Sequence, residues 1–237
     1  MIQHRWSALS GEAKVRWHGT ALCGALYLLH YVMHSTWYIE DAAISFSFAR
    51  HAAMGEGLVA YVGGERVEGF SNPSWTLVLA AIDFAGINPF IAAKILGALL
   101  GLLCLPLVML WAQRLMGRSA GLWPVLAPLL LATSPQFVVW NASGLENSIF
   151  NFFLALGALL LLREVEADTR IAWSGLAWFG LAITRPEAPL YVVVAAGLAW
   201  GAISLSRGPG ATFRWAARFA LSFLAPFLAW HTWRYIY

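Results

Sequence analysis

The sequence predicts an all-α integral membrane protein: a helical bundle of about seven transmembrane helices with an external first loop that carries surface helices. Three observations predict it. Of 237 residues, 60% are hydrophobic and only 11% charged. The apolar residues gather into long runs, and in lipid a single segment satisfies its own backbone groups only as a helix. The arginines cluster at alternate junctions between runs, which orders the crossings. The same composition excludes a water-soluble globular domain. A net charge of +3 spread over scattered Arg offers no basic patch to a nucleic acid. Cys23 and Cys104 each stand inside an apolar run, where Cys acts as a small buried hydrophobe rather than half of a disulfide or metal pair.

The elements follow in order. Arg5, Lys14 and Arg16 precede an apolar run from Trp17 to Trp37, so the first helix starts in the cytoplasm. The run is longer than a signal-peptide core, and Ser35-Thr36-Trp37 makes a poor cleavage site, so it reads as a retained helix. In the following loop Asp41 can cap a short helix from Ala42 to Met54 that ends at Gly55 and Gly57, and Leu58 to Val62 is a brief extended piece. Pro73 to Gly86 is apolar but shorter than the roughly 17 to 25 residues a crossing needs. Charge decides its fate. If it lies on the surface, the later helices run from Ile91 to Trp111, Gly121 to Ser134, Ser148 to Leu162, Ile171 to Ile183, Pro189 to Leu205 and Trp215 to Tyr235. Then Arg114, Arg118, Arg163, Arg170, Arg207, Arg214 and Arg218 join the N-terminal three, placing ten of the 15 basic residues inside. If it crosses, those seven move outside, against the positive-inside rule. The whole of 1–237 is then one transmembrane domain with an external loop at 38–90.

This topology gathers the unusual polar residues outside: Glu40 and Asp41, the rest of the first loop, the turn from Asn141 to Asn147, and Thr184-Arg185-Pro186-Glu187. Adjacent carboxylates beside a membrane are costly and suggest a task. Several of the intervening helices are short, which suggests a bundle opening into a wet cavity on that face.

The residues of these segments resemble a known family. Glu40-Asp41-Ala42-Ala43 with Arg50, then Gly55-Glu56-Gly57, Gly64-Glu65-Arg66-Val67-Glu68-Gly69-Phe70-Ser71-Asn72-Pro73-Ser74-Trp75, Ser143-Gly144-Leu145-Glu146 and Thr184-Arg185-Pro186-Glu187 are similar to signatures of GT-C membrane glycosyltransferases. The nearest resemblance is to the arabinofuranosyltransferases that use decaprenylphosphoryl arabinose. Two departures stand out: the family usually has Asp-Asp-Ala-Tyr where this chain has Glu40 to Ala43, and often a basic residue at Ser47. The resemblance covers the chain from Tyr38 onward and implies the N-terminal part of a longer protein, since relatives run on past the last helix here.

What the resemblance implies is an inverting glycosyltransferase at the outer face of a bacterial plasma membrane. It would move a sugar from a polyprenyl-phosphate donor to an envelope glycan or glycolipid acceptor. Such chemistry needs a carboxylate to take the acceptor proton and cations on the departing phosphate. Asp41 is the base candidate, with Glu40 assisting; Arg185 and Arg66, then Lys94 and Arg50, are the phosphate candidates; Glu68, Asn72, Trp75, Glu146 and Glu187 are cavity or substrate candidates. The absence of a nucleotide-binding glycine loop agrees with a lipid-linked donor. No His spacing suits a metal, and the need for a divalent cation stays open.

Plainer readings stand beside these. Asp41 can be a helix cap, Glu146 an interhelical hydrogen-bond acceptor, Arg185 and Glu187 partners of one another, and Glu65, Arg66 and Glu68 a solvated run. A transporter or flippase for a lipid-linked sugar also needs a polar cavity, but neither repeated halves nor a helix broken near the midplane is visible in the sequence. A catalytically inert scaffolding or donor-binding chain is a third reading.

Overall fold

The computed structural model describes residues 10–67, 69–117 and 119–237. Among them every regular element is helical: α1 (Gly11–Val32), α2 (Ala42–Ala53), α3 (Pro73–Phe84), α4 (Pro89–Met116), a 3-10 turn at Trp123–Val125, α5 (Leu126–Thr133), α6 (Pro135–Ala142), α7 (Asn147–Glu166), α8 (Trp173–Ala182), α9 (Ala188–Arg207) and α10 (Pro209–Ile236). Local chemistry sets the boundaries. Ser10 caps α1 by accepting from the Ala13 N–H, and Asn88 caps α4 by accepting from Phe90. Proline opens α3, α4, α6 and α10, where its missing N–H costs nothing.

α4, α7 and α9 are long and apolar enough to cross a membrane, and the turn at Trp123 with α5 and α6 would form a further span as one bent pair. α1 and α10 are less apolar, and α8 has only 10 residues. Exposed Leu22, Val193, Leu198 and Leu221 give the bundle an apolar flank, as lipid-facing surfaces require.

The bent pair lengthens the span that the sequence predicts from Gly121 to Ser134: the helix ends at Ser134 as expected, but α6 follows it. Ser134 is extended (ψ 115°) because Pro135 excludes the preceding residue from the helical region. The chain turns by 54° there and continues helical to Ala142, beyond the end of the span that the sequence predicts. The first and last spans also shift, to Gly11–Val32 and Pro209–Ile236. Between Leu58 and Val62 the described backbone forms bends and turns rather than a strand.

α1 and α4 pack antiparallel. The Tyr27 hydroxyl donates to the Gly97 carbonyl at 3.0 Å and the Tyr31 hydroxyl to that of Lys94 at 2.8 Å. Glycine is required here: a Cβ on Gly97 would lie 2.2 Å from the Asn141 carbonyl oxygen, and one on Gly101 would lie 2.0 Å from the Tyr27 hydroxyl. At one end of the bundle Arg16 reaches the Gly121 carbonyl, and buried Glu164 accepts from Ser174 and from Trp215 Nε1. This is the arginine end. At the other end the excursion 33–88 leaves α1 and returns to α4, so α3 begins and finishes on the same side of the bundle. A core of Phe46, Trp75, Leu79, Ala92 and Ile149 seats α2 and α3 on α4 and α7 there.

Candidate active site

Backbone and buried side chains bring the polar segments together at the loop end. Ile39 N–H donates to the Ser143 carbonyl at 3.1 Å, Trp75 Nε1 to that of Gly144 at 3.0 Å, and Ser74 N–H to that of Ile183 at 3.0 Å. The Ser74 and Thr184 hydroxyls lie 2.8 Å apart. Gly144 adopts φ +90°, and a Cβ there would meet the Tyr38 ring at 2.9 Å, so the Ser-Gly-Leu-Glu turn depends on its glycine. Burial raises the Tyr38 phenol above its ordinary range, keeping it a neutral donor to the Phe90 carbonyl at 2.9 Å.

These links surround a cavity of about 320 Å³ lined by Asp41, Ser45, Phe70, Asn72, Glu146 and Arg185, among others. Asn72 organises its floor. Its Nδ2 donates to Glu146 Oε2 at 2.7 Å and to the Ser45 hydroxyl at 2.9 Å, while its Oδ1 accepts from Thr76 at 3.0 Å. Glu146 is 5% exposed, and its Oε1 lies 3.4 Å from Arg185 Nε. Arg185 Nε also pairs with Glu187 at 3.1 Å and Nη1 donates to Asn147 at 3.4 Å, while its guanidinium lies 5.9 Å from the centre of the Phe150 ring. The buried Glu146 charge thus has a donor and a cation, as a low-dielectric site demands.

Asp41 differs. The capping reading fails because Asp41 is already helical (φ −60°, ψ −23°), whereas a cap needs an extended backbone to fold its side chain over the next N–H groups. Its carboxylate makes no capping bond and no ion pair with a described residue; it stands exposed on the cavity wall. Glu40 is exposed beside it but is not part of the lining. An unpaired carboxylate and a guanidinium on one cavity are suited to accepting a proton and neutralising an anion in one event.

The other candidates lie elsewhere. Trp75 is fully buried, with its indole N–H on Gly144, and acts as a strut rather than a substrate contact. The Lys94 ammonium donates to the Trp37 and Ala142 carbonyls and lies 3.9 Å from the Tyr38 ring centre, which occupies it away from the cavity. Arg50 pairs with Asp83 at 3.3 Å between α2 and α3. Arg66 lies over the Tyr237 ring at 4.9 Å, in an adjoining hollow. Glu187 reaches the cavity only through Arg185, and Glu68 lies outside the described residues. Ser47 fastens the loop by donating to the Ala60 carbonyl at 2.7 Å.

Ser45, which lines the cavity, is not singled out by the sequence reading. Ser45 was legible in principle, being four residues past Asp41 on one helix and therefore on the same face. Among the described residues no group of three or more His, Cys, Asp or Glu could hold a metal ion.

A helical bundle with candidate membrane spans thus brings its polar turns to one cavity that holds a carboxylate and a guanidinium. The chain belongs to the dolichyl-phosphate-mannose-protein mannosyltransferase family, with the match spanning residues 25–184, which takes in Asp41, Asn72 and Glu146 and stops one residue short of Arg185. No curated protein and no solved structure matches it. The family is of GT-C type and comprises glycosyltransferases with a polyprenyl-phosphate sugar donor, which agrees with the class read from the sequence. The match is to mannosyltransferases and carries no arabinose specificity.

Proposed function

We propose that this protein is an inverting glycosyltransferase that moves a sugar from a polyprenyl phosphate to a glycan or glycolipid acceptor of the bacterial envelope. Asp41 accepts the acceptor proton as its oxygen attacks the anomeric carbon, and the polyprenyl phosphate departs toward Arg185. Glu40 assists by its charge, while Glu146 and Asn72 hold Arg185 and the cavity floor in place. The chain crosses the plasma membrane seven times with its N-terminus in the cytoplasm, so the cavity faces outward, where lipid-linked rather than nucleotide-linked donors are found. Arabinofuranose is the sugar that the first-loop motifs suggest.

The observation that carries this reading is the Asp41 carboxylate, unpaired on the wall of a cavity that also holds Arg185. Asp41→Asn preserves size and removes the base, so sugar transfer from a radiolabelled polyprenyl-phosphate donor should fall by roughly 10²- to 10⁴-fold while donor binding persists. Glu40→Gln should cost less. Unimpaired transfer by a folded Asp41→Asn protein would remove Asp41 from the mechanism.

The 54° break at Ser134 is a feature on the side of a flippase. The hollow beside it is lined by apolar groups such as Cys104, Leu131, Phe137 and Leu154, with Asn151 the polar exception. A charged headgroup has no path there.

A further inference from the structure

Six polar side chains line the cavity that holds Asp41, and four of them are committed to one another. Ser45 is bonded to Asn72, Asn72 to Glu146, and Glu146 pairs with Arg185. Asp41 and Ser71 remain, with no side-chain bond to a described residue. The two are complementary, since a carboxylate only accepts a hydrogen bond and a hydroxyl can donate one.

Local structure holds Ser71 in place without using its hydroxyl. The residues from Gly69 to Asn72 lead into α3 with no helix of their own, and Phe70 and Asn72 are buried on either side of exposed Ser71. Phe70 packs on Phe48 with ring centres 4.9 Å apart, and Asn72 carries the bonds of the cavity floor. Gly69 permits that approach, because a Cβ there would lie 2.9 Å from the Phe48 ring. Two inward anchors therefore present the residue between them to the cavity.

The wall that carries Ser71 favours an anion. Ser71 and Arg185 also line a separate hollow of about 110 Å³, so both stand on the partition between the two spaces. Pro73, the first residue of α3, lines that hollow too, and no side chain caps the helix. The positive end of the α3 dipole thus adds to the guanidinium at this partition.

We infer that the Ser71 hydroxyl is a second donor to the departing phosphate, beside Arg185. The inference rests on the glycosyltransferase reading and adds a residue to its mechanism. As the acceptor oxygen bonds to the anomeric carbon and loses its proton to Asp41, the bond from that carbon to the phosphate oxygen breaks. Its electron pair leaves with the phosphate, which gains one negative charge. A hydroxyl already aimed at that oxygen binds it more strongly in the transition state than in the donor, and keeps its own proton throughout.

The test compares wild type, Ser71→Ala and Ser71→Thr in neutral detergent. Binding of a short polyprenyl phosphate, which is the leaving group itself, and of the polyprenol of equal length is measured by native mass spectrometry. Polyprenyl phosphate should bind Ser71→Ala about tenfold or more weakly, the scale of one hydrogen bond to a charged group, with the polyprenol unchanged. In transfer from the radiolabelled donor, kcat should fall roughly 10- to 100-fold and the donor KM should change much less. Ser71→Thr keeps the hydroxyl and should retain most of both. In unfolding by sodium dodecyl sulfate Ser71→Ala should match wild type, whereas Ser45→Ala, which takes a partner from Asn72, should unfold earlier. Equal polyprenyl-phosphate binding by wild type and Ser71→Ala, an equal loss for the polyprenol, or a Thr variant as weak as the Ala one overturns the assignment. So does a Ser71→Ala protein destabilised as far as Ser45→Ala, since the hydroxyl would then serve the fold. Polyprenyl phosphate failing to bind wild type would instead sink the glycosyltransferase reading, and the inference with it.

Discussion

Glu146 separates structure from charge at the centre of the cavity. Its carboxylate accepts a 2.7 Å bond from Asn72 Nδ2 and lies 3.4 Å from Arg185, whose side chain is 38% exposed and shared with Glu187 at 3.1 Å. The shared, partly exposed ion pair deserves a surface value, about 0.5–1 kcal/mol. The Asn72 bond is worth more, because Asn72 is 4% exposed and water cannot replace the partner it would lose; stranding that donor costs about 1–3 kcal/mol. Glu146→Gln keeps an acceptor for Asn72 and loses only the charge, so it should destabilise by about 1 kcal/mol. Glu146→Ala loses both and leaves a void, so about 3 kcal/mol is expected. The assay is unfolding by sodium dodecyl sulfate in mixed micelles, followed by circular dichroism. Asn72→Ala made in the Glu146→Ala background should cost clearly less than in wild type, since the bond it breaks is already gone. Equal losses for Gln and Ala, or strict additivity of Asn72→Ala with Glu146→Ala, would refute the claim that this bond ties the first loop to the 143–146 turn.

Gly97→Ala should destabilise by about 1–3 kcal/mol through its clash with the Asn141 backbone, whereas Gly197→Ala, with nothing within 4 Å of its Cβ, should be neutral or stabilising in the same unfolding assay; equal effects would contradict the α1–α4–α6 packing. Single cysteines at exposed Glu65 and Pro186, in a cysteine-free background, should react with an impermeant thiol reagent from outside the cell, and one at exposed Ala167 should not. Labelling of Ala167 alone would reverse the orientation. Arg185→Lys should retain part of the polyprenyl-phosphate affinity and Arg185→Ala should lose it, because Lys keeps the charge without the forked geometry; equal affinity in titrations of wild type and the Ala variant would leave Arg185 a structural partner of Glu146 and Glu187.

Hydropathy and charge made the helical runs legible, because burial in lipid acts on whole segments and tolerates errors at their ends. The end of the span at Ser134 is written locally in the Ser134-Pro135 pair, but the helix that resumes beyond it at an angle is not, since hydropathy reports solvent and not direction. The motifs were legible as a set for a reason the structure supplies: several of their residues hold one another. Trp75 clasps Gly144, Ser74 clasps Ile183 and Thr184, and Ile39 clasps Ser143, so they must be kept together if the cavity is to exist at all. What the sequence could not reveal is which polar groups are consumed in that clasp. Lys94 looks like a cation beside a substrate site until the Trp37 and Ala142 carbonyls converge on it from two distant segments. Asp41 looks like a cap until its own backbone proves helical, which turns the carboxylate away from the amides it would have satisfied and leaves it on the cavity wall. The same physical accounting separates Lys94 from Asp41: a polar group that has found its partners is architecture, and a carboxylate without one among the described residues, on the wall of a cavity, is the group to test for chemistry.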